Sequence, residues 1–249
     1  TTMELVTLVA ERYEKRRKGE LVGLPTGLGP LDAKTNGLAN LSVLAARPGM
    51  GKSSLARQIA YHVGQGRPVV YLSLEDDADR ALERAAFQRA GECLSWAEQH
   101  PLHVSRMDAI FKPWVDGTLH VTFQRPRPHT IDCVAQAVKL AGLGGAQLVI
   151  VDHLAHIVGR SAREGEYDFV SRAMADLEGA AADGGVNLLV VHQLNRDCEK
   201  RDDKRPMLSD LRASGKIEEV GALILFIYRE SYYDEAANPH EAAIIVAKN

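Results

Sequence analysis

Short runs of apolar residues punctuate the chain at 41–46, 68–74, 119–123, 147–151, 186–191, 222–228 and 242–247. They are rich in Val, Ile and Leu on consecutive positions, and Gly, Pro or polar residues bound them. Such runs predict short strands, most of them covered on both faces. Between them the apolar positions recur at helical spacing, predicting helices over 53–63, 76–90, 130–141 (capped by Thr130 or Asp132) and 167–182. The stretch 92–114 is mixed and predicts short helices, whereas 23–37 is turn-rich with Leu28, Leu31 and Leu38 as anchors. Residues 195–212 are polar and charged, contain Pro206 and have no period, which predicts a long exposed loop. At the start, Leu5, Leu8, Val9 and Tyr13 mark a narrow stripe on a helix over 3–18. It closes on Lys15-Arg16-Arg17-Lys18 and Gly19, cations and glycine being favoured at helix C-termini. Strands alternating with helices predict an α/β fold, a mostly parallel twisted sheet with helices on both faces.

The first strand runs directly into Arg47-Pro48-Gly49-Met50-Gly51-Lys52-Ser53-Ser54, and a helix opens there. Strand, glycine-rich turn, Lys-Ser and helix in that order form a phosphate-cradling P-loop. Small residues let backbone N–H groups close around a di- or triphosphate at the helix N-terminus. Lys52 is then placed to reach the β- and γ-phosphates of ATP, and the Ser53 hydroxyl to ligate Mg²⁺. The strict pattern begins with Gly, and Ala46 stands in that place.

Further strands end in polar residues: Glu75 after 68–74, Asp152 after 147–151 and Gln193 after 186–191. The C-terminal edge of an open α/β sheet is where ligands bind. Asp152 has the form of the carboxylate that holds Mg²⁺. Glu75 is the candidate base for the attacking water, and the Gln193 amide can sense the γ-phosphate by donating and accepting.

Composition narrows the setting. The chain has 249 residues and a net charge of −3, so any nucleic-acid surface must be local rather than global. The three cysteines form no paired spacing, as expected in a reducing cytoplasm. No apolar run approaches the ~18–20 residues of a membrane span. His153 and His156 lie close together without a further ligand in sequence, so no metal is expected on them.

The runs GLPTGLGPLDAKTNGL, AARPGMGKSS, YLSLED, LVIVDHL, LVVHQLNRDCEKRDDKRPMLSDLRASGKIEE, LFIYRESYYDE and IIVAKN, in this order, resemble the C-terminal motor domain of bacterial and phage DnaB-type replicative helicases. The most specific stretch is KRPMLSDLRASG, and that family tolerates Ala at Ala46. The resemblance implies a RecA-like motor domain over 21–249, preceded by a linker helix over 1–20 that docks on a neighbouring subunit. It also implies a homohexamer around single-stranded DNA with ATP–Mg²⁺ sites between subunits. By the same resemblance Arg212 and Gly215 contact the DNA backbone, and Lys248 reaches in trans to the neighbour's γ-phosphate. A primase and a helicase loader are the partners it implies for the full-length protein, in the cytoplasm. The family usually has Glu at Ala213, Tyr at His153 and Ser at His192, and its arginine finger is expected one residue beyond Asn249.

Two functions of different kind follow. The first is an ATP-driven motor that moves on single-stranded DNA and unwinds duplex at a replication fork. The second is a RecA-fold protein using ATP as a switch, loader-like, recombinase-like or regulatory, without processive unwinding. A small-molecule kinase lacks any sequence sign of an acceptor pocket or lid.

Overall fold

The computed structural model describes residues 2–100, 102, 104–161, 163–211 and 215–249, without the side chains of Glu4, Leu8 and Arg16. In chain order the elements are α1 (Thr2–Arg17), α2 (Gly29–Thr35), β1 (Leu41–Ala46), α3 (Lys52–Gly64), β2 (Val69–Ser73), α4 (Ala78–Ala90), α5 (Leu94–Gln99) and α6 (Val104–Val115). They continue with β3 (Val121–Gln124), α7 (Ile131–Leu143), β4 (Leu148–Asp152), α8 (Glu166–Gly184), β5 (Asn187–Gln193), α9 (Gly215–Val220), β6 (Leu223–Tyr228) and β7 (Ala243–Lys248).

The strands form one seven-stranded sheet in the order β3-β2-β4-β5-β1-β6-β7. Neighbours pair in parallel except β7, which runs antiparallel to β6. The continuous apolar runs have a simple physical origin. Successive side chains of a strand point to opposite faces, so a strand covered twice needs apolar residues at every position. In β1, Val43 and Ala45 join one core with Val149, Val190, Phe226 and the α7–α8 residues Val134, Met174 and Leu177. Leu44 and Ala46 join the other, with Ile150, Val191, Leu225 and the α3 residues Ala56, Ile59 and Val63. A smaller cluster of Ala86, Phe87 and Ile110 packs α4 against α6.

Two expectations need correction. The turn-rich stretch contains a helix, α2, with Pro30 in its first turn and Asn36 as a left-handed cap at φ 62°. Burial of Leu31 and a bond from Thr26 Oγ1 to Asp32 Oδ1 (2.7 Å) hold it. Secondly, the stretch after β5 is no solvated loop. Cys198, Pro206, Asp210 and Leu211 are buried, and Arg201 grips Asp210 with two bonds of 2.9 and 2.8 Å. Short one-turn helices at Arg196–Lys200 and Leu208–Asp210 order it, a use of ion pairs and caps that leaves no hydrophobic period to read. Arg212 lies outside the described residues, as does Ala213.

Helices α7 and α8 meet where a Cβ on Gly142 would stand 2.5 Å from the Gly184 carbonyl oxygen. Gly142→Ala is therefore expected to lower stability by about 1–3 kcal/mol, whereas Gly179→Ala, at an exposed helical position with nothing within 4 Å, should raise it by about 0.5–1 kcal/mol. Urea unfolding of both variants checks the pair. A pH effect follows from β5. Burial pushes the His192 imidazole from 6.5 down to about 4, helped by the nearby His153 and Lys52. Folded His192 stays neutral while the unfolded chain protonates near 6.5, so the stability it supports is full at neutral pH and drains away as pH falls from 6.5 to 4. The loss is about 3 kcal/mol, and His192→Gln should flatten that acid limb in unfolding curves at pH 7 and pH 4.5.

Candidate nucleotide site

The turn between β1 and α3 closes because Gly49 and Gly51 adopt φ of 75° and 95°, conformations that side-chain-bearing residues disfavour. Met50 is buried in the α3-side core and anchors the loop from beneath. Lys52, also buried, donates from Nζ to the Arg47 carbonyl at 3.2 Å, which bends the ammonium back over the turn. Burial pushes its pKa below the ordinary lysine value, against the opposing pull of Asp152. Ser53 and Ser54 follow in the first turn of α3, and Gln88 of α4 holds the Ser54 carbonyl at 2.7 Å.

Asp152 sits at the end of β4, level with Ser73 of β2. Tyr71 donates its hydroxyl to Asp152 Oδ2, while Oδ1 is buried without a partner among the described residues. A buried carboxylate oxygen lacking a partner is costly unless something else completes it. Mg²⁺ prefers oxygen ligands and keeps part of its water shell, so the orphaned Oδ1 fits the ion. Tyr71 lies on the same strand as the approach to Glu75, and burial first, then the Asp152 charge, keep its phenol well above the usual tyrosine value and so protonated.

Glu75 projects just past β2, its side chain 62% exposed, and the chain there is held by the bond from Leu74 N to Asp152 O at 2.7 Å. Gln193 ends β5 opposite Ala46, the residue from which the P-loop departs. Lys52, Asp152, Glu75 and Gln193 are thus gathered on one edge of the sheet, as the strand ends predicted.

Arg47 and Pro48 were grouped with the phosphate cradle. The Arg47 side chain instead turns away, donating from Nε to Glu199 at 2.8 Å and from Nη1 to the Leu194 carbonyl at 2.7 Å. What Arg47 offers the loop is its backbone. This buried tie joins the P-loop to the segment following β5, and nothing in the sequence pairs residues 147 positions apart in that way. Tyr71 was missed for the same reason: within β2 it reads as one more core residue.

The remaining candidates lie elsewhere. Gly215 opens α9, where a Cβ would stand 2.8 Å from the Tyr167 hydroxyl. Lys248 pairs with Ile224 near the start of β6, level with the beginning of β1 and so at the edge opposite the P-loop. Its Nζ caps α9 by donating to the carbonyls of Glu218 at 2.6 Å and Glu219 at 3.3 Å.

His153 and His156, which lack a third ligand nearby in sequence, gain a neighbour in the fold. The fold brings a third donor, Glu75, against both imidazoles, with Nε2 to Oε2 distances of 3.7 and 3.9 Å. Burial and then His156 hold the His153 pKa below the usual histidine value. No helix among the described residues is long and apolar enough to cross a membrane.

Residues 23–249 match the family described as the DnaB-like helicase C-terminal domain. The chain is 30% identical over 241 residues to the replicative DNA helicase DnaB of Geobacillus stearothermophilus, covering 93% of this chain and 53% of that protein. It is 31% identical over 249 residues to the replicative DNA helicase DnaC of Bacillus subtilis (strain 168), again covering 93% and 53%. The chain therefore spans about half the length of the relatives it matches. A solved structure described as an ATPase domain aligns with a TM-score of 0.85 and 25% identity, over all of this chain and 90% of that one. A DnaB-like replicative helicase, solved in a study of its interactions with primase, aligns at 0.82 with 26% identity, over all of this chain and 61% of its own. The RecA-like sheet and the P-loop edge thus have both sequence and structural counterparts, and the chain belongs to the DnaB-like helicase C-terminal domain family.

Proposed function

We propose that this chain is the motor of a ring-shaped replicative helicase, hydrolysing ATP to move on single-stranded DNA and unwind duplex at a fork. The observation that carries the reading is the convergence of Lys52, Asp152, Glu75 and Gln193 on one sheet edge beside a P-loop, in a chain of this family. The backbone of Arg47–Ser54 cradles the ATP phosphates, with Lys52 on the β- and γ-oxygens. Asp152 and Ser53 hold Mg²⁺, which when bound supplies charge neutralisation on the phosphate oxygens. Glu75 orients the attacking water and accepts its proton; its exposure suits a group that meets water only when the site closes.

Transmission begins at Gln193. It lies beside the root of the P-loop, and Arg47 fastens that root to Leu194 and Glu199. A change in phosphate occupancy is thereby felt by the segment leading to Arg212 and Gly215, the proposed contacts to the DNA backbone. Several cations of that segment are already engaged: Lys200 with Asp197 at 2.8 Å, Arg201 with Asp210, and Lys204 over the Tyr233 ring. The burden of DNA binding thus falls on few groups.

Two features support assembly into a hexamer. Helix α1 exposes Met3, Leu5, Val6, Val9 and Tyr13, an apolar surface that suits docking on a neighbouring copy. Lys248 lies at the edge away from its own P-loop, a position consistent with a role toward the nucleotide of an adjacent subunit. A primase and a loader are the proposed partners of the complete protein in the cytoplasm.

Lys52→Ala is expected to abolish ATP hydrolysis, and Glu75→Gln to slow it by about 10²–10⁴-fold with nucleotide binding retained. Steady-state turnover and fluorescent-nucleotide titration check both, and wild-type turnover in either would refute the assigned site. Single-stranded DNA should stimulate the wild-type rate several-fold; a rate indifferent to DNA would favour a switch over a motor. Arg212→Ala should weaken DNA binding with ATP affinity unchanged. It should also flatten the salt dependence by about 0.7 per lost phosphate contact on a log–log scale. Equal affinity and slope in the variant would remove Arg212 from the DNA surface.

A further inference from the structure

The Glu75–His153–His156 cluster is separate from the donor set for Mg²⁺ and has its own geometry. His153 precedes the single turn of 3₁₀-helix Leu154–His156. The His156 N–H donates to the His153 carbonyl at 3.0 Å, and this turn brings the two imidazoles together. Their ring centroids are 4.4 Å apart at an interplanar angle of 62°. Buried Leu154 pins the turn to the core. The short stretch following β2 then brings Glu75 over both rings.

The separations decide what kind of contact this is. Nε2 of His153 and of His156 stand 3.7 and 3.9 Å from Glu75 Oε2, too far for hydrogen bonds. Two ligands of a tetrahedral Zn²⁺ lie about 3.3 Å apart, so a small inward movement would place these atoms on a common ion. Donor atoms of all three residues lie within 4.8 Å of one another. His153 is 9% exposed, and its Nδ1 is buried with no partner. With Nδ1 unengaged, Nε2 is the nitrogen turned toward Glu75 and so the one that could meet a cation shared with it. His156 and Glu75 are 41% and 62% exposed at the side chain, which leaves the cluster open to solvent for ion entry.

We propose that Glu75, His153 and His156 form a site for a borderline divalent cation of the Zn²⁺ type, with water completing the coordination. Two imidazoles and a carboxylate suit Zn²⁺ and neighbouring transition metals, whereas Mg²⁺ favours oxygen and remains with Asp152 and Ser53. Occupation withdraws the Glu75 carboxylate from the water that it would activate, so the bound ion acts as a brake on hydrolysis. This consequence rests on the role of Glu75 proposed above; the binding itself does not.

Zn²⁺ titrated into the metal-free, nucleotide-free protein against a chromophoric chelator tests the site directly. One ion per chain is expected, with affinity falling at least about tenfold in both His156→Ala and His153→Phe. His156 is on the surface, so its variant remains informative should loss of the buried imidazole disturb folding. No binding to the wild type at about 100 μM Zn²⁺, or equal binding in both variants, overturns the proposal. In ATPase assays at buffered free Zn²⁺, the wild type should slow by about tenfold or more, while His156→Ala keeps its metal-free rate. A loaded cluster with unchanged turnover overturns the brake and the assignment of Glu75 as base while leaving the site standing. An inactive metal-free wild type would count against the ATPase reading, and the titration would still decide the site.

Discussion

The structure turns on a charge imbalance placed at the C-terminal edge of its sheet. Lys52 is a buried ammonium whose hydrogen-bond partner is one backbone carbonyl, and Asp152 is a buried carboxylate with one oxygen orphaned. Neither group is fully satisfied in the free chain: desolvation depresses the lysine despite the pull of Asp152, and among the described residues the aspartate's hydrogen-bond donor is Tyr71. A polyphosphate brings the anionic oxygens that the lysine lacks, and a magnesium ion would occupy the free carboxylate oxygen. On the reading proposed above, the site is half of a polar network and the nucleotide is the other half. Half-satisfied networks are destabilising in a core and tolerable where binding completes them.

Holding such a pair in place requires a stiff support, and the double-sided sheet supplies it. Every position of β1, β2, β4 and β6 is buried, and alternate residues feed separate cores. Displacing the P-loop root would mean disturbing both layers at once. Because β1, β4 and β5 are adjacent, the P-loop, Asp152 and Gln193 share a rigid frame. Beyond that frame project Glu75, past β2, and the segment after β5, which Arg47 and the Arg201–Asp210 pair tie back to it. Rigid strand ends paired with adjustable loops are what a catalytic edge needs if nucleotide chemistry is to be converted into displacement.

Much of this was legible in the sequence because the governing patterns are local. A strand covered twice must be apolar throughout, and a P-loop must carry small residues and a lysine at fixed spacing, so β1, α3 and the polar strand ends could be placed from the letters alone. What escaped depends on residues far apart. The Arg47 side chain finds its partners at Leu194 and Glu199, far from it in sequence. Tyr71 read as core, although its hydroxyl completes Asp152. The stretch following β5 looked solvated since its order comes from the Arg201–Asp210 pair and buried Cys198, none of which has a period. His153 and His156 looked like two isolated imidazoles because their third neighbour, Glu75, arrives from another strand.

That last juxtaposition places two requirements on one carboxylate. A base for water must remain accessible, and the exposure of Glu75 beside a buried lysine and aspartate suits the role proposed for it. The same exposure leaves it within reach of imidazoles that make no bond to it at their present distances. In the parallel register Asp152 lies level with Ser73, so Glu75, two residues on, emerges over the residues that follow Asp152 in chain. His153 accordingly stands beside both Glu75, the proposed base, and Asp152, the proposed magnesium ligand. On the roles proposed above, a ligand on that imidazole would reach Glu75 as well and would give the P-loop edge a second input beside the nucleotide.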